Sequence, residues 1–199
     1  MTVMDFKGRS FSFLGRSGSG KDTQLALFVG RKLSGCGTLR LITGDFFREL
    51  ATKKTIVGGK VKDILEKGGL YPEWLAAYFW EREIIEKLAN PETVILLSGS
   101  PRRLREAEVM DEVFVWTGRE LITPIHIDVS QEEAFRRLKL RARGDDTDGA
   151  INARLDWFEK DVQPTLDYYR KQDRLITVDG IGPVDEVYER MRKLLDARI

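Results

Sequence analysis

Short apolar runs alternate along the chain with longer segments of helical period, the pattern of a mostly parallel sheet covered by helices. Five runs rich in Ile, Leu, Val or Phe predict strands at residues 10–14, 39–43, 94–97, 122–129 and 175–178, most of them closed by Gly, Ser or Asp. Between them Leu25, Phe28, Val29 and Leu33 share one helical face. So do Leu75, Tyr78, Phe79, Arg82 and Ile85, in a segment opened by Pro72. Ser130-Gln-Glu-Glu133 reads as a capping box that starts another helix, and Pro183 marks a last one over residues 184–197. Two stretches interrupt the alternation, residues 44 to about 71 and 141 to about 154, and they predict excursions from the sheet. No repeat or low-complexity linker divides the chain, so its 199 residues read as one α/β domain with small attached flaps.

Charge narrows the partners. Thirty-three Lys and Arg against 32 Asp and Glu leave a net charge of +1, which gives no reason to expect nucleic acid or an anionic membrane. Affinity for phosphate must come from local arginine clusters. Cys36 is the only cysteine, which excludes an intramolecular disulfide and a thiolate zinc cluster. Asp5, Lys7 and Arg9 break the stretch before Gly15, so it lacks the apolar run of a signal peptide, and no segment approaches a membrane span. A cytoplasmic enzyme is the expectation.

The clearest chemistry lies in GRSGSGKDTQ, residues 15–24. Gly15, four residues, then Gly20-Lys21 follow a predicted strand and precede a predicted helix, the setting that makes such spacing a phosphate cradle. The glycines let backbone N–H groups of the loop, including those of Ser17, Gly18 and Ser19, crowd around phosphate oxygens, and the helix N-terminus adds a favourable dipole. Lys21 can reach the β- and γ-phosphates. Asp22 stands where the strict pattern wants a hydroxyl, and Thr23 supplies one a position later. The signal is strong for binding a nucleoside triphosphate and weak for what is done with it.

Together with later segments, this loop resembles the adenylate kinases and related nucleoside monophosphate kinases, whose loop reads GxxGxGKGTQ. Further matches follow in order: TGDFFR (43–48), GGLYPEWL (68–75), SGSPRRLREAE (98–108) and RARGDDTDGAINARLDWF (141–158). They span almost the whole chain. The resemblance implies a P-loop three-layer α/β/α fold with a five-stranded parallel sheet in the order 2-3-1-4-5, an acceptor flap at about 44–71 and a very short lid at about 141–154. It implies transfer of the γ-phosphoryl group of MgATP to a nucleoside monophosphate, with a monomer usual among short-lid members.

Elementary chemistry agrees with that reaction. The acceptor is a phosphate oxygen already ionised at neutral pH, so no general base is needed; the reaction needs charge neutralisation, in-line positioning and exclusion of water. His126, the only histidine, lies in an apolar strand and reads as a packed core imidazole. The resemblance places Thr43 near the acceptor base, Arg48 on its α-phosphate, Gly44 and Gly99 beside them, and Gly69, Leu70 and Tyr71 at the base edge, although Tyr71 also suits a hydrophobic staple before Pro72. Arg102 matches the arginine that bridges the two nucleotides' phosphates, with Arg103 the lesser candidate. Arg137 would lie over the donor base, Arg141 at its phosphates, and Arg143 and Arg154 would fold over the transferring group. Asp145 and Asp146 would hold those arginines, and Gly144 and Gly149 would hinge the lid, which lacks the ligands of a zinc-bearing one.

Three residues depart from the family pattern. Asp22 replaces a glycine, Ser98 an aspartate that organises magnesium-bound water, and Glu106 a glutamine that reads the acceptor base. No direct metal ligand is assigned; Asp22 or Asp45 is expected to restore negative charge near magnesium through water, with the Thr23 hydroxyl also in reach, while Asp22 is equally a good first-turn residue. An ionised Glu106 only accepts hydrogen bonds, which suits guanine, whereas Thr43 accompanies adenine. AMP is the preferred acceptor, with GMP, CMP or UMP as alternatives and a nucleotide-binding module without turnover as the competing class.

Overall fold

The computed structural model describes residues 6–198, so Asp5, used above, lies outside the described residues. Five strands, β1 (Ser10–Leu14), β2 (Thr38–Ile42), β3 (Val94–Ser98), β4 (Thr123–Asp128) and β5 (Ile176–Asp179), form one sheet in the order β2-β3-β1-β4-β5. All four pairings are parallel, as the resemblance implied. Every residue of β1 and β3 is buried, which is why both strands read as continuous apolar runs rather than alternating ones.

Side chains still alternate between the faces. On one side Val94 and Leu96 of β3 join Phe11, Phe13, Ile125 and Ile127 under helices α1 (Lys21–Lys32) and α9 (Val184–Asp196). On the other, Ile95 and Leu97 join Trp80, Met110, Leu166 and Tyr169 of helices α4 (Glu73–Lys87), α5 (Leu104–Trp116) and α8 (Gln163–Lys171). Helices α2 (Thr43–Leu50) and α3 (Ile56–Glu66) fill the first excursion and share a small core of Phe47, Val61, Tyr71 and Leu75. The second runs from the end of α6 (Gln131–Arg141) into α7 (Asp148–Trp157), which passes to α8 through a π-helical turn, Phe158–Val162. Among the described residues, no helix is long and apolar enough to cross a membrane.

Several boundaries differ from the sequence reading. Thr43 opens α2 instead of closing β2, because the strand ends at Ile42 and the Thr-Gly-Asp that follows is already helical. Strand β4 is shorter than expected at both ends, and α9 stops at Asp196 with Ala197 as its C-cap. The Ser130 hydroxyl caps α6 by accepting from the Glu133 backbone, but the Glu133 carboxylate turns to Arg136 and Arg137 instead of completing the box. Gly149, expected to hinge the lid, is the second residue of α7, at the helix end where the lid loop enters. His126 is buried against Phe158 with neither ring nitrogen hydrogen-bonded among the described residues and Nε2 3.8 Å from the Asp128 carboxylate, and burial draws its pKa down to about 4.

Candidate active site

The loop between β1 and α1 turns through three glycines of positive φ, at Gly15, Gly18 and Gly20. Gly15 is required by space as well as by φ, since a Cβ there would stand 2.5 Å from the Ile127 carbonyl of β4. The turn brings Ser17, Lys21 and Asp22 to the carboxyl ends of the strands, where ligands bind in doubly wound sheets. Lys21 is half-buried; loss of water lowers its pKa, the adjacent Asp22 opposes the shift, and Arg102, Arg141 and Arg143 reinforce it. So many cations around one ammonium are unfavourable until an anion enters.

Lys21, Arg48, Arg102, Arg141, Arg143 and Arg154 line one cleft. Arg48, from α2, is held by Asp45 at 2.6 Å, close beside Gly44. Arg102 follows β3 and is aimed by its Nε, which donates to the Gly99 carbonyl at 2.7 Å, and its guanidinium lies 5.3 Å from the centre of the Trp157 indole. Arg141 and Arg154 both donate to Asp146, at 2.7 Å each, and Arg154 also reaches Asp145 at 2.6 Å. The Arg143 backbone donates to the same Asp146 carboxylate at 3.1 Å. Burial alone raises the Asp146 carboxyl, but Arg141, the Arg143 amide and Arg154 outweigh it and keep the group below the ordinary aspartate value. Asp145 and Asp146 thus hold the arginines in the way expected of them. Among the described residues the Arg143 guanidinium makes no ion pair, which leaves it open to phosphate.

Asp22 faces the solvent of this cleft, and its carboxylate accepts from the Ser98 hydroxyl at the end of β3. Burial would raise its pKa; the Lys21 ammonium, the Ser98 hydroxyl, Arg143 and Arg48 together hold it below the usual value, so it is ionised at neutral pH. Asp45, the other acid considered for magnesium, is 71 % exposed and tied to Arg48, outside the residues lining the cleft. Thr23 faces a neighbouring groove instead, together with Arg137. Arg137 donates to the Ser19 carbonyl at 3.1 Å and the Gly180 carbonyl at 2.9 Å, so it stands apart from the other arginines. That groove is continuous with the outer side of the phosphate loop, through Gly18, Ser19 and Gly20.

A smaller buried cavity beside the cleft is lined by Thr43, Leu70, Tyr71, Arg102 and Glu106. The Thr43 hydroxyl lies 2.8 Å from that of Ser100, and Tyr71 stacks on Phe47 with ring centroids 3.7 Å apart. Burial pushes the Tyr71 phenol up to about 12, and its hydroxyl has no partner among the described residues. Glu106 accepts from the Trp80 indole at 3.2 Å and from the Arg102 backbone at 2.8 Å. Its pKa is raised, chiefly by burial. One lone pair on each oxygen is therefore already engaged. Arg103 also lines this cavity, with its Nε 3.2 Å from Asp161.

Flap and lid touch over the cleft. The Trp157 indole donates to the Gly68 carbonyl at 3.0 Å, and Gly68 abuts the Ala150 backbone of α7. Gly69 lines the cleft next to this contact. Sequence reasoning missed Trp80, Ser100 and Trp157. Trp157 alone left a usable signal, since it lies three residues after Arg154 and so on the same face of one helix.

Comparison with known proteins bears on the same residues. A family model described as Adenylate kinase matches residues 13–174. An adenylate kinase of Thermus thermophilus is 33% identical over 192 residues, covering 94% of this chain and 97% of its own. One from Mycolicibacterium paratuberculosis is 36% identical over 179 residues, 89% of this chain and 93% of its own. One from Mycobacterium tuberculosis is 35% identical over 185 residues, covering 92% and 96%. A parallel sheet of this order, a glycine loop opening onto a ring of arginines, and similarity over nearly the whole length lead to one assignment: the chain belongs to the adenylate kinase family.

Proposed function

We propose that the chain transfers the γ-phosphoryl group of MgATP to AMP, producing two molecules of ADP. The observation that carries this reading is the convergence of five arginines and Lys21 on one cleft, in which the two lining carboxylates, Asp22 and Asp145, are engaged by the Ser98 hydroxyl and by Arg154. Phosphoryl transfer between two nucleotides needs just such a set, because its barrier is dominated by repulsion between the substrates and by charge spread over the moving group.

In this reading the loop amides and Lys21 take the β- and γ-phosphates of ATP, and the groove beside Arg137 takes its adenosine. Arg48 holds the α-phosphate of AMP. Arg102 stands between the two phosphate chains, and Arg141, Arg143 and Arg154 close over the transferring group. Contact between Trp157 and Gly68 keeps water out of the closed cleft. The base of AMP enters the cavity lined by Thr43 and Glu106 once Tyr71 and Phe47 move apart. Glu106 lines the same cavity, where a free lone pair can accept from the exocyclic amine of adenine.

The residues present fit a magnesium ion accompanying ATP: an ionised Asp22 in the cleft beside the loop and the Ser98 hydroxyl that it accepts from, whereas Thr23 faces the neighbouring groove. Bound there, the ion would supply charge neutralisation on the phosphate oxygens. A monomer is its proposed working unit, as is usual for short-lid members of the family, and the cytoplasm, where both nucleotides are abundant, its proposed place of work. A coupled assay of ADP formation with AMP, GMP, CMP and UMP under MgATP tests the proposal. AMP should be fastest by at least an order of magnitude. Faster turnover of another monophosphate, or ATP binding without transfer to any of the four, overturns it.

A further inference from the structure

The two sequence departures nearest the phosphate loop, Asp22 and Ser98, lie 76 residues apart in the chain and are in direct contact in the fold. The contact follows from sheet order. β1 pairs with β3 so that Phe13 stands beside Ser98, and the loop leaving β1 carries Asp22 across the end of β3. In phosphate-loop phosphotransferases generally, the acid that faces magnesium stands at the end of a strand near the loop, while the residue after the loop lysine is neutral. In this chain the neutral hydroxyl is on the strand and the acid is on the loop's helix.

Electrostatics gives that exchange a meaning. A carboxylate in a cleft built for polyphosphate repels the substrate unless a cation lies between them. Among the described residues Asp22 makes no ion pair, although Lys21, Arg143 and Arg48 lie near enough to favour its charge, whereas Asp45 pairs with Arg48, Asp145 with Arg154, and Asp146 with Arg141 and Arg154. Its partner is a hydroxyl, which fixes the direction of the carboxylate without cancelling its charge. We infer that Asp22 is the carboxylate facing the magnesium of MgATP, oriented by Ser98, so that the acidic function of the strand end has been transposed onto the phosphate loop. This rests on the phosphotransfer reading above and names the metal-facing residue of that site. It also separates Asp22 from a role confined to the dipole of α1, which would involve neither Ser98 nor a metal.

A charge transposition tests it. ATP affinity is measured by calorimetry with and without magnesium, and manganese affinity in the presence of a non-hydrolysable ATP analogue by electron paramagnetic resonance. For Asp22→Asn, the tightening of ATP by magnesium and the affinity for manganese should fall by about 10- to 100-fold, as for loss of a group that orients metal-bound water, while metal-free ATP binds as well or better. Ser98→Ala, which removes only the orienting hydroxyl, should lose less than Asp22→Asn. The double variant Asp22→Asn/Ser98→Asp moves the charge back across one hydrogen bond and should recover most of the loss. An Asp22→Asn protein with the full magnesium gain overturns the inference, and so does a folded double variant no better than the single one. Wild-type turnover is a separate readout: a chain that shows this metal pattern but transfers no phosphoryl group refutes the kinase reading and leaves the assignment of Asp22 standing.

Discussion

Replacing Gly68 by alanine should uncouple closure from folding. Gly68 follows the C-cap of α3 with φ +66, and a Cβ built on it would lie 2.1 Å from the Ala150 carbonyl oxygen and 2.7 Å from that residue's carbonyl carbon and Cα. These are backbone atoms of α7, so no rotamer change relieves them. Ordinary contact begins near 3.4 Å, and flap and lid must therefore separate by about 1.3 Å to admit the methyl group. A displacement of that size at a site that relies on positioning costs on the order of 10²-fold in rate. The cost to folding is smaller, roughly 1 kcal/mol for a left-handed alanine, or about 2–4 °C in melting temperature for a chain of this length. Coupled kinetics and thermal melting on the same preparation separate the two effects. Gly59→Ala is the control, because nothing lies within 4 Å of a Cβ there and helix α3 should gain about 0.5–1 kcal/mol with kcat unchanged. A Gly68→Ala enzyme whose kcat stays within about threefold of wild type, at wild-type saturation, would show that the contact between flap and lid plays no part in turnover.

Arg102→Ala should lower kcat by roughly 10³ to 10⁵ with little change in melting temperature, and Lys21→Met should act similarly; near wild-type turnover in both would remove the site assignment. His126 sets an acid limit on stability. Burial depresses its folded pKa from 6.5 to about 4, so its contribution is complete above pH 6.5 and is lost as pH falls toward 4, a difference of about 3 kcal/mol. Urea unfolding of His126→Leu at pH 7 and pH 4 should show a correspondingly smaller acid loss than wild type, and parallel losses in the two proteins would contradict this account. Gly149→Ala should leave turnover and stability at or above wild type, since the position is helical and a Cβ there meets nothing within 4 Å; a large fall in kcat would identify it as a hinge.

Much of this was legible in the chain because the signals were local. The phosphate loop announces itself in seven consecutive positions, Gly15 to Lys21, and two of the strands, β1 and β3, are short, fully buried apolar runs. The arginines of the cleft could be named one by one, but their orientation could not. Arg137 and Arg141 lie four apart on α6, yet one turns to the Ser19 and Gly180 carbonyls and the other to Asp146, a choice made by acceptors far along the chain. Thr43 was misplaced by one element because Thr-Gly-Asp closes a strand or opens a helix equally well. Glu106 was visible as a departure, but its partner Trp80 lies 26 residues away on α4, and no local pattern links them. The contact between Asp22 and Ser98 required the register of β1 against β3, which periodicity does not carry.

The hydrogen bond from Trp157 to Gly68 has a thermodynamic corollary. In the proposed function the two covers over the cleft serve different substrates, and this contact joins them. Whatever nucleotide lowers one cover prepays part of the ordering needed by the other, so donor and acceptor must each tighten the other's binding by an identical factor. A bisubstrate mimic that spans both halves would harvest that synergy in a single event, and its affinity should exceed the product expected from two independently filled sites.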